Sequence, residues 1–304
     1  MIMTAASGAK AMSIREVLMS EGLSLTPAEQ KIVHLLLAEY PTSGLGPASR
    51  LAKRAAVSDP TVARFVAKLG FPSFADFQGR LLAEVEERVH SPLQMMETKR
   101  GTEKSGVALR YLSSVETALH ESQSLTPHAS YERAARLIME AKGGVVVLGG
   151  RFSRFIAGML AEYLRQMRPG VQSVDDLSAS AFDTLADLGR KDVVVAFDYR
   201  RYQHDVTSYT RQAAEKGARV VLFTDQWLSP ISQVAEVSVV SRLDVESPFD
   251  TMAPAIAQTE AVLANILAIS GDEPLARMQR FEAVRKANRI TFDDAGDQDD
   301  VAQS

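Results

Sequence analysis

The sequence predicts an α/β chain in two parts: an all-α helix-turn-helix domain, then a three-layer αβα domain with a parallel sheet. Three observations carry this. Between residues 47 and 69 two short stretches of helical period flank the turn Ala56-Val57-Ser58. From Gly143 onward the pattern changes to continuous apolar runs, at 145–148, 192–197 and 218–224. Those runs alternate with amphipathic stretches, as strands of a parallel sheet covered on both faces do.

At 304 residues the chain is long enough for about two domains, each able to bury a core without disulfides. It has no cysteine, which excludes a disulfide framework, a thiolate metal site and a cysteine nucleophile, and fits the cytoplasm. The first residues lack the apolar run of a signal peptide. No uninterrupted apolar stretch reaches membrane-spanning length, so no membrane partner is expected.

Taken in order, residues 1–13 read as a flexible arm. A short helix is expected over 14–20. Thr26-Pro27-Ala28-Glu29 is a capping box with proline just inside the helix start. The helix it opens runs to about Glu39, buries Ile32, Leu35 and Leu36, and is stopped by Pro41. Residues 47–55 and 59–69 form the helix pair, with Ser58 placed to cap the second helix. Pro60 is tolerated in the first turn, where backbone N–H groups have no intrahelical partner. Val62, Phe65, Val66 and Leu69 fall at i, i+3, i+4 and i+7 and mark its buried stripe. Another helix follows over 74–90, so that 14–90 is one helical domain.

Residues 91–105 carry little apolar periodicity and read as a linker. A second domain is expected over 106–290. It opens with helices at about 105–121 and 130–141, the first placing Ala108, Tyr111, Leu112, Val115, Ala118 and Leu119 on one packing face. Strands are expected at 145–148, 171–174, 192–197, 218–224 and 237–241. Helices are expected between them at 153–167 and 204–216, and two more close the domain at 252–270 and 273–289. Residues 291–304 form an acidic disordered tail.

Net charge is −4, but its distribution matters more. Residues 47–70 hold Arg50, Lys53, Arg54, Arg64 and Lys68 against Asp59 alone. A compact basic patch on an acidic chain is what a DNA-docking surface leaves, although a solvated helix face leaves one too. Thr61, Arg64 and Lys68 share the outer face of the second helix at i, i+3 and i+7, a face that a major groove receives. The competing reading is a small helical bundle used for dimerisation.

Residues 25–80 resemble the N-terminal domain of RpiR-type (MurR-type) bacterial transcriptional regulators. The resemblance rests on Leu25-Thr26-Pro27, Leu51-Ala52, Ala56-Val57-Ser58, Thr61-Val62, Arg64-Phe65 and Lys68-Leu69-Gly70-Phe71, with Phe74 and Phe77 beyond. One departure is Ala56, where the family usually has glycine; alanine fits if the turn keeps a negative φ. The resemblance implies operator DNA as partner. Thr61 and Arg64 are then expected at base edges, and Lys53, Ser58 and Lys68 at phosphates.

The same family carries a sugar-isomerase (SIS) domain after the linker, and residues from about 130 to 270 are similar to it in strand order and length. In an open parallel sheet, ligands sit beyond the carboxyl ends of the strands. Two such ends are legible, Gly149-Gly150-Arg151-Phe152-Ser153 and Asp198-Tyr199-Arg200-Arg201-Tyr202-Gln203, each ahead of a helix N-terminus that favours anions. Family members usually have Gly-x-Gly-x-Ser in the first loop and a Ser/Thr-rich phosphate cradle in the second. Here Gly149 and Ser153 are kept, Arg151 replaces the second glycine, and Asp198, Arg200, Arg201 and Gln203 stand in the cradle. Bulky side chains cannot copy that cradle, but the arginines offer bidentate contacts to a carboxylate or a different phosphorylated metabolite. Phe152, Tyr199 and Tyr202 sit among them in the sequence. The alternative is that Arg151, Arg200 and Arg201 pair with Asp198, Asp175, Asp205 or Asp250 as structural salt bridges.

An isomerase needs a base against a carbon-bound proton. His204, Asp205, Glu246 and Glu260 are near in sequence, but none has a partner motif. The five histidines lack metal-ligand spacing. No catalytic residue, metal or cofactor is therefore expected. The sequence reads as a regulator of a metabolic operon that senses a small anionic metabolite, sugar phosphate or carboxylate, as a homodimer or homotetramer. Its rivals are a sugar-phosphate isomerase with a fused helical domain and a ligand-independent DNA-binding dimer.

Overall fold

The computed structural model of the chain describes residues 13–19, 22–38, 40–89, 96 and 105–290. The expected arm (Ser13 apart), most of the expected linker and the acidic tail lie outside the described residues. The chain forms two compact units that divide between Val107 and Ala108.

The first unit holds α1 (Ile14–Met19), α2 (Pro27–Ala38), α3 (Ala48–Ala55), α4 (Asp59–Lys68) and α5 (Phe74–Val89). Each of the five adds apolar residues to one core. Val62, Phe65, Val66 and Leu69 are all buried, as their spacing predicts. Ala52 is buried where α3 meets α4; a small residue there lets the two backbones approach. The capping box of α2 is formed: the Thr26 N–H donates to Glu29 Oε2 (2.7 Å), and the Glu29 N–H donates to Thr26 Oγ1 (3.3 Å).

Two expectations for the turn are corrected. Ala56 does not keep a negative φ: it lies at φ +53°, ψ +49°, in the left-handed region. The three-residue connection requires it, because the Val57 N–H must turn back to the Ala52 carbonyl (3.0 Å). Ser58 stands at the N-cap position in extended geometry, but its side chain makes no capping bond. Pro60 has no N–H to offer, and the Thr61 N–H is taken by the Ser58 carbonyl (2.9 Å).

The second unit begins with α6 (Val107–Leu125), whose first residue alone precedes the division, and α7 (His128–Met139). Then come β1 (Val145–Gly149), α8 (Arg154–Met167), β2 (Val171–Val174), a short α9 (Ala179–Asp183) that the sequence reading did not anticipate, β3 (Val193–Phe197) and α10 (His204–Glu215). The unit ends with β4 (Arg219–Asp225), β5 (Val237–Ser241), α11 (Ala253–Ile269) and α12 (Asp272–Ala287). All strands pair in parallel in the order β2-β1-β3-β4-β5, with Val145 opposite both Val171 and Val193.

Alternate residues of β1, β3 and β4 feed two cores. Val147, Val195, Phe197 and Phe223 join α7, α8 and α11 on one face; Val146, Val194, Ala196 and Leu222 join α10 on the other. This is the expected three-layer αβα arrangement. Phe197 and Phe223 stack across adjacent strands with ring centroids 4.4 Å apart. On α6 the expected apolar face is only partly covered: Tyr111, Val115 and Leu119 are half-buried and Ala108 is exposed. Ala118 is buried, whereas Leu112 is 60% exposed. The N-terminal half makes polar contacts instead: Ser114 Oγ accepts the Glu246 N–H (3.0 Å), and Arg110 pairs with Glu246 (3.3 Å).

Candidate functional site

Two regions collect the side chains that the sequence singled out. The first is the outer face of α4. Ser58 Oγ and Thr61 Oγ1 are 2.9 Å apart, and Arg64 Nη2 donates to Thr61 Oγ1 at 3.4 Å. Three of the five candidates thus form one hydrogen-bonded chain at the start of the helix, with Ser58 and Arg64 exposed. The hydroxyl that sequence reasoning assigned to a cap instead joins this chain. Lys53 is exposed on α3. Lys68 differs from the expectation. Its Nζ lies 2.8 Å from Glu29 Oε2 and also donates to the Ser24 carbonyl, so it is turned onto α2. Its bond is the largest influence holding the Glu29 carboxyl below the usual range. Glu29 had been legible only as a capping residue.

The second region lies at the carboxyl ends of β1 and β3, where the strand order reverses direction. Gly149 is packed so closely that a Cβ there would stand 2.6 Å from the Arg154 nitrogen. Ser153 is buried and links the two strand ends: its Oγ accepts the Gly150 N–H (2.8 Å) and donates to the Phe197 carbonyl (2.7 Å). Gln203 links the loops: its Oε1 accepts the Arg151 N–H, and its Nε2 donates to Asp205 Oδ1 (3.2 Å). The structure brings these groups together, with their polar atoms bonded to one another.

Asp198 is 1% exposed. Its carboxylate accepts the Ser229 hydroxyl and the Gln203 N–H (3.2 Å). Burial pushes its pKa up to about 7; Ser229 and Gln203 pull it down, while Asp225 and Asp205 push it further up.

Arg200 corrects the picture of an arginine clamp. Its side chain is 5% exposed, with Nε 3.1 Å from Asp250 Oδ2, Nη2 on Asp250 Oδ1, and Nη1 3.8 Å from Asp244. The guanidinium lies 5.3 Å from the centre of the Trp227 ring. Burial works against its charge, and the surrounding carboxylates of Asp250, Asp244 and Asp225 outweigh that and hold it charged. Its fork is already spent on Asp250, so it is not open to a ligand in this arrangement. Arg151 and Arg201 are exposed.

The aromatics do not form one clamp either. Phe152 is exposed under the Arg151 guanidinium, Tyr199 is buried, and Tyr202 donates to Asp225 Oδ1 (2.7 Å). Sequence reasoning missed Asp225, Trp227, Ser229 and Asp244, which anchor this loop. A polar residue ending the apolar run of β4 was the one available signal for Asp225.

The residues considered for catalysis are otherwise engaged or exposed. Glu246 pairs with Arg110, Asp205 holds Gln203 and the Val206 N–H (2.8 Å), and His204 and Glu260 are exposed. Among the described residues no single helix is long and apolar enough to cross a membrane.

Comparison with known proteins matches residues 12–88 to the helix-turn-helix domain of the rpiR family and residues 137–269 to the SIS domain. An uncharacterised HTH-type transcriptional regulator of Clostridium perfringens is 23% identical over 241 residues, covering 79% of this chain and 85% of that one. One of Haemophilus influenzae is 24% identical over 261 residues, covering 83% and 88%. Among solved structures, the Vibrio vulnificus NanR protein complexed with ManNAc-6P aligns over 90% of this chain and 98% of its own, with a TM-score of 0.52 and 16% identity. At that identity the likeness is one of fold.

Proposed function

The chain belongs to the RpiR family, joining an rpiR-type helix-turn-helix domain to a SIS domain, and from that premise we propose that it is a DNA-binding transcriptional regulator of a metabolic operon, acting in the cytoplasm as a homodimer or homotetramer. The observation that carries the reading is the Ser58–Thr61–Arg64 chain, an ordered set of hydrogen-bonding groups on the outer face of α4. Arg64 has the fork that reads guanine edges, Thr61 suits either base edge or methyl contact, and Lys53 supplies phosphate attraction from α3. A small anionic metabolite, sugar phosphate or carboxylate, acts as effector at the ends of β1 and β3, met by the exposed Arg151 and Arg201. Its binding shifts the population of dimer arrangements, so that the spacing of two α4 helices fits the operator or fails to.

A second reading, DNA binding independent of any ligand, is favoured by one observation: Arg200 and Gln203 are both spent inside the protein. Selection of bound genomic fragments tests the DNA half; enrichment of one sequence supports it, and uniform recovery of all fragments opposes it. A thermal-shift screen against sugar phosphates, carboxylates and inorganic phosphate tests the effector. Stabilisation by one class, lost in Arg151→Ala and Arg201→Ala, supports the sensor. The absence of any stabilisation supports the second reading. Turnover of a sugar phosphate without DNA affinity would support the isomerase instead.

A further inference from the structure

The C-terminal end of α4 carries a feature that DNA contact does not explain. Lys68 is the last residue of the helix, and its Nζ is 2.8 Å from Glu29 Oε2 and bonded to the Ser24 carbonyl. An ammonium has three donors, and two are used here. The Glu29 side chain is only 11% exposed. The same oxygen that receives Lys68 also accepts the Thr26 N–H at 2.7 Å, so the acceptor is fixed by the start of α2. The ion pair therefore fastens one end of α4 to one end of α2 across 39 residues of sequence. At the opposite end of α4 lies the Ser58–Thr61–Arg64 chain.

We propose that Lys68 is a positioning residue, which with Glu29 sets the angle at which α4 presents Thr61 and Arg64 to DNA, and is not a phosphate contact. The proposal rests on the DNA-binding reading given above. Base readout needs side chains held to within about 0.5 Å and 10–20°. A helix fixed only through its apolar stripe can still roll on that stripe, and an ion pair at its far end, anchored on the shielded Glu29, removes the freedom.

Charge separates the two roles. A carboxylate beside a DNA-binding face repels phosphate, so a merely electrostatic account has Glu29→Gln tighten binding by releasing Lys68 and removing a negative charge. Positioning has it weaken binding. Glutamine keeps the capping-box acceptor, so α2 is not undone by the change.

The experiment measures anisotropy of the selected duplex with the full chain between 50 and 200 mM salt, for wild type, Lys68→Met, Glu29→Gln, the double variant and Lys68→Arg. Each single neutral variant is expected to weaken specific binding roughly two- to thirty-fold, with the double variant no weaker than the worse single one. The slope of log K against log salt stays that of wild type, and Lys68→Arg, which keeps the pair, stays within about two-fold. A slope shallower by about 0.9 in Lys68→Met, or tighter binding by Glu29→Gln, overturns the proposal and makes Lys68 a phosphate contact. Failure of the wild type itself to prefer any duplex overturns the regulator reading, and is recognised before any variant is compared.

Discussion

Arg200 grips Asp250 through Nε and Nη2 from a nearly buried position, and its guanidinium lies against the Trp227 ring. Breaking a buried ion pair costs about 3–5 kcal/mol, and Asp244 and Asp225, which still face Arg200, hold the loss of Asp250 to the low end of that range. Arg200→Met and Asp250→Asn should each lower stability by an amount in that range, and the double variant should lose no more than the worse single one. Arg151→Ala and Arg201→Ala, at exposed positions, should stay within about 0.5 kcal/mol of wild type. Urea denaturation separates the two groups. Equal effects at all three arginines would contradict the structural role of Arg200.

That contrast also shows where sequence reading stops. Val62, Phe65, Val66 and Leu69 announce their burial because a helix imposes one local period, and β1, β3 and β4 announce theirs as unbroken apolar runs. The helix-turn-helix and the αβα sheet were therefore legible, as were the two strand-end loops. The fate of the polar side chains was not. Arg200 finds Asp250 at a separation of 50 residues, a partner that the sequence offered only as one carboxylate among four, while Gln203 meets Arg151 at 52 and Lys68 meets Glu29 at 39, pairings that it did not offer at all. No local pattern encodes such pairings. The φ of Ala56 is set likewise by the path from α3 to α4 and not by the residue.

Asp198 predicts a pH dependence. Its carboxyl has a folded-state pKa of about 7, raised by burial, against an ordinary value of 3.8. Between those values the folded protein holds a proton that the unfolded chain has lost. Its contribution to stability is thus complete below about pH 4 and falls as pH rises through 7, at up to about 1.36 kcal/mol per unit. Glu29, bonded to Lys68, and Glu236, where the opposing effect of burial is outweighed by the paired Arg219 and Arg133, are held below their ordinary 4.5 and weaken the fold only as pH falls through lower values, outside this window. The melting temperature of the wild type should decline from pH 5 to 8. In Asp198→Asn, which keeps an acceptor for Ser229, the decline should be smaller. Parallel profiles would contradict a protonated Asp198.

Ala56 sits at φ +53° on an exposed turn, where an L side chain costs about 1–2 kcal/mol relative to ordinary helix geometry. Glycine removes that cost but adds freedom to the unfolded chain. Ala56→Gly should therefore stabilise the chain by a net of about 0.5–1 kcal/mol, read from denaturant midpoints at unchanged slope. A destabilised variant would mean that the methyl group makes a contact worth more than the strain.

On the DNA face, Arg64 and Lys53 should separate by kind of effect. Arg64→Ala should cost about 1–3 kcal/mol on the selected duplex and far less on unrelated ones, because base readout is lost. Lys53→Ala should weaken binding to all duplexes and make the salt dependence shallower by about 0.9. Anisotropy titrations on matched and scrambled duplexes at several salt concentrations give both quantities. Loss of specificity in Lys53→Ala, with an unchanged slope, would exchange the two assignments.

Gly149 and Gly150 test whether the strand-end loop is rigid. A Cβ at Gly149 would stand 2.6 Å from the Arg154 nitrogen and 2.7 Å from the Ser153 carbonyl carbon, both backbone atoms at the start of α8. Neither can yield without moving the helix, so Gly149→Ala should destabilise by about 1–3 kcal/mol, the range of overpacked sites. At Gly150 the atom met is Gln203 Oε1, 2.6 Å away at the tip of a flexible side chain. Gly150→Ala should displace that tip and forfeit its bonds to the Arg151 N–H and to Asp205 Oδ1, both close to water, for a net loss of about 0.5–1.5 kcal/mol. Gln203→Ala removes the same two bonds without crowding, so it should lose a similar amount, while Gly149→Ala loses more than either. Equal tolerance at the two glycines would mean that α8 is not held against β1. The loop would then be free to reshape around a ligand, and the internal satisfaction of Gly150, Arg151 and Ser153 would be no barrier to one.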